Sequence, residues 1–123
     1  RVIGCQPLAC PIMIESVRAG RLVELPSEQS ISDATVGLLE PGVITFPLCR
    51  DLVAAWAGVA EPELRAAVRL LLEKQSVLVE GAGALPIAAL LAQVERWRGA
   101  RVVLVLSGSH IALPILSEIL RGA

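Results

Sequence analysis

The sequence predicts an α/β domain with a mostly parallel sheet flanked by helices. Three observations carry that expectation. Short apolar runs at residues 2–5, 77–79 and 101–106 alternate with longer stretches of helical period, the pattern of strand–helix–strand units. The run Val102-Val103-Leu104-Val105-Leu106 shows no polar alternation, as a parallel strand covered on both faces should. Apolar residues make up 54% of the 123 residues with glycine left out. Ordinary domains reach roughly 45–50% with glycine included, so the excess points to the interior of a larger body.

Each element has a local reason. Val2-Ile3-Gly4-Cys5 is β-branched and apolar and is stopped by Pro7, which makes it a short buried strand. A helix is expected from Pro11 to Gly20, because proline suits a helix start and glycine a helix end. Residues 22–25 form a short extended piece ending at Pro26. Residues 26–41 are rich in Ser, Asp, Glu and Gly and read as a long surface connection, of a length that is usually functional or tied down. Thr45 is placed to cap a helix from Phe46 to about Ala55, with Leu48, Leu52 and Val53 on one face. Gly58-Val59-Ala60 is too short to assign.

The clearest helix runs from Pro62 to Gln75. Its first turn carries acids, and Leu64, Ala67, Val68, Leu71 and Leu72 form its apolar stripe. Val77-Leu78-Val79 is a brief strand, followed by a helix of small residues from about Ala84 to Arg96. After the strand at 101–106 comes the turn Ser107-Gly108-Ser109-His110, then a last helix from Leu113 to Leu120. The length fits one domain and the chain shows no internal repeat.

Composition excludes several function classes. A net charge of −1 creates no field for nucleic acid or acidic lipid, and two Trp, one Phe and no Tyr leave few groups for stacking on bases. The longest apolar stretch, Ala82 to Ala92, is far short of the roughly 20 residues of a membrane span. No secretory signal follows Arg1, so the chain reads as cytoplasmic and trimmed on its N-terminal side. Cys5, Cys10 and Cys49 are an odd set, expected as reduced, packed thiols.

In open parallel sheets, ligands bind beyond the carboxyl ends of strands. That rule singles out Gln6-Pro7, Glu80-Gly81 and Ser107-Gly108-Ser109-His110. The last turn could hold a polar ligand atom through amides and a hydroxyl, or be an ordinary turn with Ser109 as helix cap. Glu80 beside a buried strand is either a carboxylate near a site or a capping group. Glu80-Gly81-Ala82-Gly83-Ala84 matches a dinucleotide fingerprint poorly, with Pro86 at its last glycine position. His110, the only histidine, neighbours Ser109 and so suits no Ser–His triad. Cys5, Cys10 and His110 would give a metal at most three ligands without a paired CxxC, so no metal site is expected. Lys74, the only lysine, suits a solvated helix end.

Four stretches taken together resemble the threonine/serine dehydratase branch of the pyridoxal-phosphate (PLP) enzymes of fold type II. Val2-Ile3-Gly4-Cys5-Gln6-Pro7 with Met13-Ile14-Glu15-Ser16 is similar to the family run VIGVEP…MYESL. Ile31-Ser32-Asp33-Ala34-Thr35-Val36-Gly37, followed by Pro41-Gly42-Val43-Ile44-Thr45-Phe46, is similar to ADG…G…PG…TF. Val79 to Ala84 resembles VEPAGA, and Val102 to Gly108 resembles VVVLSGGN. Order and spacing fit across essentially the whole chain.

The resemblance implies β-elimination: water leaves serine or threonine, and a 2-oxo acid and ammonia are released. PLP supplies the electron sink. By resemblance, Ser107 carries the hydroxyl that meets the cofactor's pyridine nitrogen. Gly108 lies in the same turn, Glu80 stands behind it, and Ala34 offers backbone. A neutral hydroxyl does not hold the pyridine protonated, which moderates the sink in favour of elimination.

Departures accompany the match. Ser107-Gly108-Ser109-His110 stands where the family has Ser-Gly-Gly-Asn, and Ala34 where it usually has glycine. Gln6 replaces a glutamate that binds a divalent cation in some members. The Schiff-base lysine and Gly-rich phosphate loop would precede Arg1, and Lys74 matches neither. Residues 1–123 are therefore expected to be a single, partial catalytic-domain segment that has no catalytic residues of its own and holds no PLP stably alone. It is expected to self-associate or to join a missing N-terminal half. A free-standing, non-catalytic α/β module acting by self-association is the alternative.

Overall fold

Pairing between distant segments builds the sheet. The computed structural model describes residues 1–122. In chain order the elements are β1 (Val2–Pro7), α1 (Ile12–Ala19), a 3-10 turn (Asp33–Thr35), α2 (Thr45–Leu52), β2 (Val53–Val59), α3 (Glu61–Gln75), α4 (Gly81–Ala92), a second 3-10 turn (Val94–Trp97) and α5 (Leu113–Arg121). β1 and β2 form a two-stranded parallel sheet, with Gly4 opposite Trp56, Cys5 opposite Ala57 and Pro7 opposite Val59. The α/β class with a parallel sheet is thus observed.

The period of two along each strand sorts the faces. Cys5, Ala57 and Val59 point into the main core. Gly4 lies on the opposite face, where a Cβ would overlap the Trp56 ring, so the indole occupies space that only glycine leaves free. Gln6, also on this face, is buried, and its Oε1 accepts the Ile14 N–H at 2.9 Å. That N–H is in the first turn of α1, where the helix has no partner of its own for it. A side chain from β1 thus does the work of a helix cap. α1 ends as the sequence predicts, with Gly20 in the left-handed conformation at φ 70°.

The core lies between α3, α4 and the sheet. Leu64, Ala67, Val68 and Leu71 of α3 follow i, i+3, i+4, i+7 and are all buried. They meet Ala84, Leu85, Ala88 and Ala89 of α4 and Ile119 of α5. Glu63 Oε2 accepts the Ala60 N–H at 2.9 Å, closing the start of α3. α5 is held on α3 by Ile119 and, at the surface, by Arg69 donating to the Leu120 carbonyl at 3.3 Å. Lys74 is exposed in the last turn of α3, the place expected for it.

Four expectations are corrected. The helix read from Phe46 to Ala55 stops at Leu52, because residues 53–59 are recruited as β2 by the ladder with β1. Thr45 is the first helical residue and makes no capping bond. α4 starts at Gly81 rather than Ala84 and ends at Ala92, and residues 94–97 tighten into a 3-10 turn. The strands expected at 77–79 and 101–106 are absent from the sheet. Val79 is buried without a strand partner. Residues 101–106 are not buried, and Val103 is 90% exposed. The apolar pattern there is real, but among the described residues nothing pairs with it.

All three cysteines are free thiols, and burial pushes the Cys5 thiol above its ordinary pKa. Among the described residues no helix is long and apolar enough to cross a membrane.

Candidate functional site

Two loops meet at the N-terminal end of α4, and close approach of backbone holds each of them. The 30–35 loop is fixed first. Glu61, in the first turn of α3, accepts the Ile31 N–H at 2.9 Å and the Ser30 hydroxyl at 2.7 Å. Ser32 is fully buried, and its hydroxyl lies 2.6 Å from the Thr35 hydroxyl. This loop lies directly on α4: a Cβ at Gly81 would overlap the Ile31 carbonyl. Gly83 makes the matching approach on the other side, where a Cβ would overlap the Ser107 carbonyl oxygen. The glycines of Gly81-Ala82-Gly83 are therefore there for packing of loops on a helix start.

The 107–110 turn is then fixed by Glu80. The Glu80 N–H donates to the Gly108 carbonyl at 3.3 Å, and its carboxylate accepts the His110 N–H at 3.2 Å. Gly108 has φ 73°, and a Cβ on it would run into the Glu80 carboxylate. Two requirements, a left-handed backbone and an absent side chain, thus fall on one residue. Of the two roles open to Glu80, capping is not observed: it is the residue before α4 but makes no side-chain cap bond. Ser109 is not a cap either, since α5 is preceded by Ala112.

Ser107 is exposed, and its hydroxyl makes no hydrogen bond among the described residues. It lies at the edge of a cleft of about 790 Å³ that runs between β1, one face of α4 and residues 101–105. A smaller hollow of about 300 Å³ is lined by Asp33, Ala34, Glu80 and His110. The structure therefore brings Ala34, Glu80, Ser107 and Gly108 to one end of α4. Gln6 is not part of this group; its oxygen is engaged by α1.

Sequence reasoning left Asp33, Gly83 and Glu61 out of the site. Asp33 stood beside Ala34 as an acid with no other assigned role. Gly83 was visible as a glycine one residue after Ala82, but its partner at Ser107 was not. Glu61 looked like an acid favouring a helix start, whereas its carboxylate reaches the 30–31 backbone.

Among the described residues, no three of His, Cys, Asp or Glu gather in a way that could hold a metal ion.

The chain thus has a parallel α/β core with a serine–glycine turn and an exposed hydroxyl lining a cleft. Residues 1–108 match the model of the family described as pyridoxal-phosphate dependent enzyme, and the chain belongs to that family. It is 39% identical over 119 residues to the L-threonine ammonia-lyase of Geobacter sulfurreducens, covering 97% of this chain and 29% of that enzyme. Among solved structures it superposes on threonine deaminase isoform 2 from Solanum lycopersicum with TM-score 0.86 and 25% identity, over 100% of this chain and 36% of that one. Maize serine racemase gives TM-score 0.82 and 27% identity, over 99% and 38%. The chain thus spans little more than a third of the length of these proteins, or less.

The residues present fit the cofactor of the family. Ser107 offers a neutral, unengaged hydroxyl suited to a pyridine nitrogen. In the same turn, a Cβ on Gly108 would run into the Glu80 carboxylate, so glycine there leaves Glu80 its place.

Gly83→Ala tests how tightly the turn is coupled to the helix. The added methyl must move either α4 or the Ser107 backbone. Overpacking of this kind costs about 1–3 kcal/mol. Urea denaturation should show that loss, and amide exchange should rise at Glu80 and His110, whose N–H groups make the bonds that hold the turn. Unchanged stability and unchanged exchange would refute the close approach.

Proposed function

We propose that this chain supplies the C-terminal part of the catalytic domain of a PLP-dependent threonine/serine dehydratase. The polypeptide containing it removes water from serine or threonine and yields a 2-oxo acid and ammonia. The observation that carries this reading is the Ser107 hydroxyl, exposed and unengaged on a turn that Glu80 and Gly83 hold in place. The similarity to an L-threonine ammonia-lyase supports the reaction class.

When bound, PLP supplies the electron sink that labilises the substrate α-carbon. Ser107 would hold the ring nitrogen through its hydroxyl, a neutral group that would leave that nitrogen unprotonated. Gly108 and Ala34 would border the ring with backbone, and Glu80 fixes the turn by accepting the His110 N–H. These groups are assigned to holding the cofactor, and no catalytic residue is assigned within the 123 residues. The attachment lysine is assigned to another part of the polypeptide, because Lys74, the only lysine here, is exposed in the last turn of α3 and lines neither the 790 Å³ cleft nor the smaller hollow. With Gln6 engaged by Ile14, the site is proposed to work without a cation near β1. A cytoplasmic location fits the free thiols.

Alone, the 123 residues are expected to release no oxo acid from serine or threonine with added PLP. They are also expected to sediment above monomer size, since Val103, Leu113 and Ile44 are 90%, 78% and 77% exposed and such surface favours association. Grafted in place of the matching 119 residues of the Geobacter sulfurreducens enzyme, the same chain should restore oxo-acid formation. A folded graft that binds PLP but forms no oxo acid would defeat the dehydratase reading. A lone chain that turns over faster than free PLP would defeat the assignment of the missing groups.

A further inference from the structure

Among the described residues, every hydrogen bond that ties residues 30–35 to another element ends on one carboxylate, that of Glu61. The Ser30 hydroxyl that donates to Glu61 also accepts the Ser32 N–H at 3.0 Å. Thr35 closes the other end of the loop by donating its hydroxyl to the Ser32 carbonyl at 2.9 Å. Position is therefore passed from Glu61 through Ser30 and Ser32 to Thr35. The far end of this chain of bonds is the site: Asp33 and Ala34 line the hollow of about 300 Å³, and Thr35 lines the 790 Å³ cleft together with Ser107.

Glu61 is itself held from behind. Arg65, one turn along α3, has its Nε 3.6 Å from Glu61 Oε1, the oxygen that accepts the Ile31 N–H. The other end of the same guanidinium reaches α5, where Nη1 lies 3.5 Å from Glu118 Oε2. α5 follows the 107–110 turn in the chain. One arginine thus joins the anchor of the 30–35 loop to the helix that follows Ser107. Ion pairs that are partly open to water add little to global stability; what this triad fixes is the spacing of two loops. A carboxylate suits the task because its two oxygens accept at once, so an N–H and an O–H can be held side by side. Glu63, in the same turn of α3, is engaged differently: it accepts the Ala60 N–H and makes no hydrogen bond to either loop.

We infer that Glu61 is a positioning residue for the cofactor end of the site, and that Arg65 and Glu118 hold it there. It acts through the loop and not on substrate or cofactor. It sets where Asp33, Ala34 and Thr35 stand relative to Ser107, the support that a binding constellation needs behind the groups that make contact. The inference rests on the cofactor roles proposed for Ala34 and Ser107, and not on which reaction follows.

Amide exchange by NMR on the chain, and titration of PLP into the graft in the Geobacter sulfurreducens enzyme, test it together. Glu61→Ala should speed exchange of the Ile31 amide by about tenfold or more, the effect of losing a hydrogen bond to a charged acceptor. In the graft it should weaken PLP binding by about tenfold and lower oxo-acid formation at saturating PLP by roughly 10- to 100-fold, the cost of a small misplacement. Arg65→Met should move the same quantities in the same direction by about two- to fivefold, the worth of a partly exposed ion pair. Glu63→Ala removes the same charge from the same helix turn and should leave the Ile31 amide and PLP affinity at their parent values. The absorption band of bound PLP should move in Glu61→Ala and stay in place in Glu63→Ala.

Equal losses of PLP affinity in Glu61→Ala and Glu63→Ala would reduce Glu61 to an acid that favours a helix start, and overturn the inference. Faster Ile31 exchange with unchanged PLP affinity overturns it too, as does an Arg65→Met variant indistinguishable from the parent. If Glu61→Ala does not fold, Ser30→Ala decides, since it cuts the same tie from the loop side and leaves α3 intact. Weakened PLP binding in Ser30→Ala upholds the inference, and parent affinity overturns it. A parent graft that binds PLP but forms no oxo acid sinks the dehydratase reading alone, because PLP affinity in the variants still reports on Glu61. A parent graft that binds no PLP sinks the cofactor roles and the inference with them.

Discussion

Leu64→Ala is expected to remove about 3–5 kcal/mol of stability, the upper part of the range for a large apolar side chain cut to alanine in a core. Leu64 is fully buried. It lies on the α3 stripe facing α4, in the cluster that also contains Val59 and Val68. The opposing α4 positions are largely alanine and glycine, which have no side-chain length with which to fill the space. Small domains hold only about 5–15 kcal/mol in total, and this one has an open cleft. The variant should therefore be largely unfolded by circular dichroism under conditions where the parent is folded. Leu113→Ala, at a 78% exposed position, should change stability by less than about 0.5 kcal/mol. A Leu64→Ala loss no larger than that of Leu113→Ala would mean that α3 and α4 do not form the core.

The second large effect concerns chemistry and leaves the fold alone. In the active graft, Ser107→Ala should lower the rate of oxo-acid formation by about one to two orders of magnitude, equivalent to roughly 1.4–2.7 kcal/mol of transition-state stabilisation. Stability should fall by no more than about 1 kcal/mol, the net value of an ordinary hydrogen bond. The hydroxyl has no intramolecular partner to lose, so even that is an upper figure. Ser107→Thr keeps the hydroxyl and should retain more rate than the alanine variant. The absorption spectrum of bound cofactor should shift in Ser107→Ala, a change that a purely structural turn residue would not produce. Equal rates and equal spectra for Ser107 and Ser107→Ala would remove the cofactor role.

Helices were legible wherever a stripe and its punctuation coincide. α3 shows Pro62, first-turn acids and a regular apolar face, and it forms within one residue of its expected start. β2 was hidden for a physical reason. Ala54, Ala55, Ala57 and Gly58 have little intrinsic strand preference, and the period of α2 continues through Val53. Pairing with β1 overrides local preference there. Residues 101–106 give the converse case. Their pattern states the environment they require, and among the described residues no backbone pairing meets it. For the site, a turn after an apolar run, together with the family resemblance, was enough to bring forward Ser107, Gly108, Glu80 and Ala34. The contacts that hold them were not legible, because each joins segments far apart in the chain: Gly81 with Ile31, Gly83 with Ser107, and Glu61 with Ile31.

Those same long-range contacts govern how the molecule assembles in time. β1 must find β2 across the stretch from Val2 to Val53, and the loops of the site reach α4 only once it is seated. Helix formation takes microseconds or less, whereas closure of distant segments is the slow step in chains rich in such contacts. The 30–35 and 107–110 loops have no stable geometry to adopt before α4 presents its glycines to them. The Ser107 hydroxyl therefore acquires its position late, in the same cooperative event that completes the core.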